Sequence, residues 1–519
     1  MPRTSKSCWK WSDPMALYAG IDCGTQGTKV VIVDSTQGVI LGEGNAPHRL
    51  ISQANGRREQ EADWWIEALV IAFRQAVTNA GVDAREIHAL GVSGQQHGFV
   101  PLDADGNVLH SVKLWCDTET AEENERLLQQ LGGANGSLET LGLRIATGYT
   151  ASKILWFKTH HPALWAKLHT VLLPHDYLNF WLTGERVAEY GDASGTGLFD
   201  VRTRRWSKTA VDLIDDSGRL WQALPPLKSA ECCIGTVRPA AAEKLGLGPT
   251  VRVSTGGGDN MMAAIGSGNI EAGTLTLSLG TSGTLFAWSA APVTAESDMI
   301  AGFCSSTNGW LPLICTMNVT SATTAVQTLL DEDLAGFNSL LAQAPPGAGG
   351  VEMLPFFNGE RVPPLPHARA SLHNLDSDNF TRANLCLAVV ESATYGLRYG
   401  IELFRRQGIE AREIRLTGGG ARSAAWRQIV ADVMGCPVVC LKAKETAALG
   451  GAIQAMWATT LADDPQRNAG ALLAELCQRF VALDEATRTR PHADRQAQYE
   501  TLYQRYLQRL QQTYPEVQL

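Results

Sequence analysis

The pattern Gly-Thr-x-Gly-Thr occurs twice in this chain of 519 residues, at Gly24–Thr28 and at Gly280–Thr284. Apolar, largely β-branched runs flank the first copy at 17–21 and 30–33; similar runs flank the second at 275–279 and 285–288. Each copy therefore reads as strand, glycine turn, strand. A third strand is expected at Val39–Leu41 after the first hairpin. A hairpin repeated so far apart predicts two similar domains, each opening near its own copy. The boundary falls near Gly246–Val253, giving an N-terminal domain over 15–253 and a C-terminal domain over 254–519. Residues 1–14 read as a disordered leader, or as the product of a misplaced start, since Met15 directly precedes the first strand.

The two copies differ at one position. The first carries Asp22 where the second carries Ser278. Backbone N–H groups and hydroxyls of two such turns facing one cleft suit phosphate oxygens, and a carboxylate beside only one of them is what a metal site needs. Neither common nucleotide loop fits. Lys29 is followed by a strand, not a helix, so this is no Walker A loop. No glycine fingerprint joins a strand to a helix at the dinucleotide spacing.

Composition narrows the partners. A net charge of -9 argues against a general nucleic-acid binder, so phosphates must be held by local dipoles, a metal or a few cations. The 45% hydrophobic content supports large cores. The eleven cysteines are scattered; Cys436 and Cys440 have no second pair to complete a zinc set. They read as reduced thiols in a cytoplasmic protein. No apolar run has the length of a membrane span, and the first fourteen residues lack a signal-peptide core.

Several stretches carry candidate chemistry. Ser254–Gly268 runs through three glycines into Asp259 and Asn260 as a helix begins. Asp259 there is either a carboxylate offered to a substrate or the N-cap of that helix. A strand over 89–93 ends in the turn Gly94-Gln95-Gln96-His97-Gly98, whose three polar side chains suit a polyol or simply tie the turn. Trp115 with Asp117 suits a sugar by stacking and hydrogen bonding, or suits packing. The clusters Pro174–Leu178 and Gly191–Thr196 are further candidates. Thr417–Ser423 is a glycine turn expected to open a helix, a position that favours anions or nucleotides. Helical spacing covers 64–76 and 388–403. Thr446–Ala452 is a small-residue helix suited to close packing, and Tyr499, Leu502, Tyr503, Tyr506, Leu507 and Leu510 share a packing face at the end of the chain.

With these motifs in order from Tyr18 to about Tyr506, the chain resembles a carbohydrate kinase of the FGGY family. The set is Asp22-x-Gly-Thr, Gly94-Gln95-x-His97-Gly98, Trp115-x-Asp117, Gly256–Asn260, Gly280-Thr281-Ser282, Gly359-Glu360-Arg361 and Gly418–Ser423. The Gly-Gln-x-His-Gly turn together with Gly-Gly-Gly-Asp-Asn is similar to the xylulokinase branch rather than to glycerol kinases. The resemblance implies an α/β fold of two actin-like ATPase (ribonuclease H-like) domains, with ATP, Mg²⁺ and a sugar in the cleft between them. It implies Asp259 as general base and Gln95, Gln96, His97, Trp115, Asp117 and Asn260 around the sugar. Asp22 is implied at the metal, directly or through water. Gly24, Thr25, Gln26, Lys29, Gly280, Thr281, Ser282, Gly418, Gly419, Gly420 and Ser423 are implied around ATP. D-xylulose phosphorylated at its 5-hydroxyl is the implied reaction, with no nucleic-acid or membrane partner, and a homodimer is compatible with it. Gln96 stands where such enzymes often carry methionine, and Glu119 where many carry arginine. Both departures lie near the expected sugar site, which leaves ribulose, another ketose or a polyol open, as well as a non-catalytic ATPase of the same fold.

Overall fold

The computed structural model describes residues 16–294 and 299–517, so the expected leader and the alternative start at Met15 lie outside the described residues. Strands β1 (Leu17–Cys23), β2 (Gly27–Asp34), β3 (Val39–Pro47), β4 (Ile87–Gly94), β5 (Cys233–Thr236) and β6 (Arg252–Ser254) form a sheet in the order β5-β6-β4-β1-β2-β3. The two-residue strand β7 (Gly257–Gly258) adds to β4, so the chain leaves this sheet only as it reaches Asp259. A second sheet contains β8 (Thr274–Leu279), β9 (Gly283–Ala287), β10 (Ala301–Cys304), β11 (Trp310–Thr316), β12 (Glu413–Thr417), β13 (Val438–Leu441) and β14 (Leu483–Thr489). Its order is β10-β11-β9-β8-β12-β13-β14.

The two sheets repeat one plan. In the first, β1 is antiparallel to β2 and parallel to β4, and β4 is parallel to β6. In the second, β8 is antiparallel to β9 and parallel to β12, and β12 is parallel to β13. The outer strands β5 and β14 both return antiparallel. Both halves are thus α/β units opened by the hairpin seen twice in the sequence. The register carries the repeat to single residues. Asp22 faces Lys29 on β2 and Ser93 on β4, while Ser278 faces Thr284 on β9 and Thr417 on β12.

Seven helices position the functional residues: α1 (Ala62–Ala80), α2 (Thr150–His160), α3 (Asp259–Gly266), α4 (Arg382–Arg406), α5 (Ala424–Met434), α6 (Thr446–Asp463) and α7 (Ala493–Thr513). Helix α1 buries Trp65, Leu69 and Phe73 with Ile21, Val30 and Ile32 on one face of the first sheet. The other face, through Tyr18, Val31, Val33 and Ala89, packs on α6 and on Met262 and Ile265 of α3. Helix α6 lies late in the chain yet covers the first sheet. Its small residues make that approach possible from both sides. A β-carbon on Gly20 would stand 1.8 Å from the Ala448 carbonyl oxygen, and one on Gly91 would stand 2.0 Å from that of Gly451. The core of the second sheet joins Leu275, Leu277 and Leu285 to α4, α5 and the Tyr499, Tyr503, Tyr506 and Leu510 face of α7.

One local expectation needs correction. The helix after Ser254–Gly258 is capped by Gly258, and Asp259 is its first residue rather than its N-cap. The glycine turn Thr417–Ser423 does open a helix: it includes a short 3-10 turn at Gly420–Arg422, and α5 starts at Ala424, with Ser423 as its N-cap accepting a hydrogen bond from Trp426 N. No helix among the described residues is long and apolar enough to cross a membrane.

Candidate active site

The site is built where β1, β4 and the start of α3 come together. Asp22, near the end of β1, is buried and accepts a hydrogen bond from Ser93 Oγ at 2.8 Å. Burial raises its pKa; Lys29 and Ser93 oppose the rise and Glu445 adds to it. Lys29 Nζ is 2.8 Å from Glu445, which lies just before α6. Burial lowers the Lys29 pKa, but Glu445, Asp22 and Asp259 together outweigh it. One cation thus sits among three carboxylates at the junction of the two halves.

Asp259 stands at the start of α3 and is strongly perturbed. Burial pushes it up to about 7, Asp22 and Asp192 add to the rise, and Asn260 opposes it. Its Oδ1 accepts from Asn260 N at 2.8 Å and from Asn260 Nδ2 at 3.0 Å. Asn260 Nδ2 also donates to Gln96 Oε1 at 3.0 Å. Asp259, Asn260 and Gln96 are therefore one connected set. Gln96 Nε2, Asp192 Oδ1 and His97 Nδ1 are buried without a hydrogen-bond partner. A β-carbon on Gly258 would stand 2.8 Å from Gln96 Cγ and 3.1 Å from Asp192 Oδ1, so only glycine at 258 lets these groups meet behind Asp259.

The remaining sugar-side candidates divide. His97 belongs to the set, its ring stacked on Tyr149 with centroids 4.5 Å apart. Burial, Lys153 and Arg361 hold its pKa well below the ordinary value, which keeps the ring neutral. Gln95 faces inward instead. It accepts from Thr25 Oγ1 at 3.0 Å and donates to Gln60 Oε1 at 3.0 Å, so its amide braces the first turn and does not present itself to a ligand. Trp115, half-buried, donates to the same Thr25 hydroxyl at 2.8 Å. Asp117 is wholly buried, accepting from Arg58 N at 2.7 Å in a cluster around Lys113. Lys113 Nζ lies 3.0 Å from Glu59 and 3.5 Å from Asp117, pairs with Glu119 and sits 3.9 Å above the Trp156 ring. Glu119 thus answers a buried lysine of this chain, and the cluster of acids there already holds its cation.

Among the residues expected around ATP, Gly24 and Thr25 are half-buried and Gln26 is exposed in the first turn. Gly280, Thr281 and Ser282 form the second turn beside Thr320, whose N–H donates to Gly280 O at 2.9 Å. Gly418 has φ +85°, and a β-carbon there would lie 2.6 Å from the Leu279 carbonyl, so the two loops touch through glycine. Gly419 has open space around it. Ser423 is occupied as the α5 cap and as a donor to Asn338.

Sequence reasoning missed several participants. Ser93 and Glu445 become visible only through register and packing. Asp192 lay in the candidate turn Gly191–Thr196, but its surroundings depend on His175, whose Nδ1 is 2.7 Å from Asp192 Oδ2. Burial lowers the His175 pKa, yet Asp176 and Asp192 outweigh it and hold the ring well above the ordinary value. Burial in turn raises Asp192 to about 6 against that imidazolium. The donors present suit a hard cation with phosphates: a carboxylate at Asp22, hydroxyls, and turn amides.

Comparison with known proteins adds a second line. The N-terminal domain of the FGGY family of carbohydrate kinases matches residues 17–266, and the C-terminal domain of that family matches 275–459. The xylulose kinase of Haemophilus influenzae is 51% identical over 502 residues, 96% of this chain and 100% of that protein. The crystal structure of a xyloylose kinase from Brucella ovis superposes with a TM-score of 0.86 at 27% identity, covering 96% of this chain and 99% of that one. A gluconate kinase structure from Lactobacillus acidophilus gives a TM-score of 0.87 at 23% identity, over 96% and 98% of the two chains.

Proposed function

The chain belongs to the FGGY family of carbohydrate kinases, and from that membership we propose that it transfers the γ-phosphoryl group of ATP to the 5-hydroxyl of D-xylulose. The observation that carries the reading is Asp259 itself: a carboxylate raised to about 7, tied through Asn260 to Gln96 and next to Asp22 and Lys29. A base whose pKa lies near the working pH is suited to take a hydroxyl proton as the new P–O bond forms. The Haemophilus relative supports the choice of sugar. The gluconate kinase likeness supports only the fold, which serves more than one sugar.

Asp259 accepts the proton through Oδ2, because Oδ1 already takes both bonds from Asn260. Gln96 and His97 hold the ketose, with Trp115 bordering it. Phosphoryl transfer asks mainly for positioning and charge stabilisation. The turns Gly24-Thr25-Gln26 and Gly280-Thr281-Ser282 cradle the phosphates through backbone N–H groups, Lys29 adds a positive charge, and Gly418–Gly420 lies under the nucleoside. Asp22 would hold Mg²⁺ directly or through water, and the bound ion would supply charge neutralisation at the phosphates. Free thiols fit a cytoplasmic enzyme. A panel of D-xylulose, ribulose, gluconate and glycerol with coupled ADP detection tests the reading. D-Xylulose should give the highest kcat/KM; ADP release independent of every sugar would refute a kinase, and a preference for another sugar would refute the substrate.

A further inference from the structure

His97 is the only residue of the Gly94–Gly98 turn with a left-handed backbone, at φ +65°. A β-carbon makes that region unfavourable, so a non-glycine residue stays there only when its surroundings hold it. The first turn of α2 does the holding. Tyr149, its N-cap, stacks on the His97 ring at 4.5 Å. Lys153 Nζ donates to the His97 carbonyl at 2.6 Å, and Thr150 Oγ1 donates to the same oxygen at 3.2 Å. The second bond of Lys153 goes to the Gly148 carbonyl, immediately before the same helix.

Lys153 has 0% exposure. Its hydrogen bonds end on backbone carbonyls rather than on a carboxylate. A buried ammonium loses its hydration, and an apolar side chain of similar volume would fill the same space without that loss. Burial accordingly brings the Lys153 pKa down to about 7. Packing alone does not explain a lysine at this place. A group that fixes the His97 carbonyl, and with it the direction of the imidazole, does.

We infer that Lys153 is a positioning residue for sugar recognition: with Thr150 it clamps the His97 backbone in its left-handed conformation and so aims the ring. The inference rests on the sugar-binding role proposed above for His97. It separates Lys153 from the chemical step, since the ammonium touches a carbonyl of the turn and not Asp259.

The test is steady-state kinetics of Lys153→Met, Thr150→Val, His97→Ala and the double variant His97→Ala with Lys153→Met, using whichever sugar the wild type turns over best. Loss of a buried donor, which leaves the His97 carbonyl with only the longer bond from Thr150, should raise the sugar KM of Lys153→Met by about 10- to 100-fold, while kcat and the ATP KM change by less than about threefold. Thr150→Val, which removes the weaker of the two bonds, should raise the sugar KM by roughly two- to fivefold. In the His97→Ala background Lys153→Met should add less than about twofold, because both changes act through one residue. A folded Lys153→Met enzyme with a wild-type sugar KM overturns the inference. So do equal rises in the sugar and ATP KM, or full additivity in the double variant. If Lys153→Met does not fold, an unchanged sugar KM in Thr150→Val overturns it. His97→Ala separates the two readings: an unaltered sugar KM there refutes the role of His97 itself, whereas a raised one with no effect of Lys153→Met refutes the clamp alone.

Discussion

Replacing Asp259 by asparagine keeps the size of the side chain and an oxygen for Asn260, and removes the ability to take a proton. Both hydrogen bonds from Asn260 end on Oδ1, so an amide oxygen there can keep them. General-base assistance is typically worth about 10²–10⁴-fold, and kcat of Asp259→Asn should fall by that order. Sugar KM should move by less than about tenfold, since Gln96 and His97 stay in place. The pH profile gives a second, independent reading. Burial with Asp22 and Asp192 puts Asp259 at about 7 in the free enzyme. The ionised form is the active one, so kcat/KM should fall as pH drops through 7, approaching about tenfold per unit below it. In Asp259→Asn the residual rate should be flat across that interval. Asp192→Asn removes one of the negative charges that raise Asp259, and should move the acidic limb to lower pH. Coupled ADP assays from pH 5.5 to 8.5 with saturating MgATP measure all three. An asparagine variant with more than about a tenth of the wild-type kcat, or one that keeps the limb, would refute Asp259 as the base.

Three further outcomes follow from other parts of the molecule. Asp22→Ala should lower kcat and raise the Mg²⁺ concentration needed for half-maximal rate by roughly tenfold, because a hard oxygen donor is lost; a Mg²⁺ titration superimposable on wild type refutes Asp22 at the metal. Gly91→Ala would put a β-carbon 2.0 Å from the Gly451 carbonyl oxygen, and overpacking of that kind costs about 3 kcal/mol or more; an unchanged thermal midpoint counts against the tight α6 joint. Burial lifts Glu391 from its ordinary 4.5 to about 7. A folded-state pKa above the unfolded one means stability that is present at acid pH and lost as pH rises through 7. Glu391→Gln should therefore raise the unfolding free energy at pH 8, by an upper limit of the order of 3 kcal/mol, and with it the melting midpoint, and leave both nearly unchanged at pH 4; equal midpoints at pH 8 refute the burial argument.

Local signals in the sequence carried the hairpins, the strand into Gly94 and the helices at 64–76 and 388–403, because turn glycines, β-branched runs and helical periodicity act over a few residues. The site was less legible wherever direction or distance decided. Gln95 and Gln96 are adjacent and chemically alike, yet one amide turns in to Thr25 and Gln60 and the other out to Asn260. The split falls where β4 ends at Gly94 and the chain enters the turn at Gln96 and His97, and nothing local says which residue faces which way. Asp117 carried the right chemistry for a sugar and is spent on an internal ionic cluster. Glu119 stood out only as a departure from a family pattern; its reason is Lys113, six residues earlier and on another element. Lys153 gave no signal at all, because a lysine in a helix is ordinarily exposed, and only the packing of α2 on the His97 turn buries it.

The two halves share a plan and divide the work, and the register shows why the division is stable. At the end of each central strand stands one side chain between two neighbours. In the first half it is Asp22, with Ser93 as a donor on one side and the ammonium of Lys29 on the other. In the second half it is Ser278, between Thr284 and Thr417. A carboxylate at 278 would be set between hydroxyls with no cation opposite it in the ladder, and a partly buried charge without a counter-charge is unfavourable. A serine there leaves a neutral turn whose amides and hydroxyls would suit phosphate oxygens equally well. The charged ladder positions also lie in the half that supplies Gln96, His97 and Asp192 around Asp259. Concentrating negative charge beside Asp259 raises its pKa toward neutrality, while under the proposed function the neutral copy would avoid repelling a polyphosphate. A duplicated fold with one charged and one uncharged hairpin thus meets two requirements that a symmetric pair would set against each other.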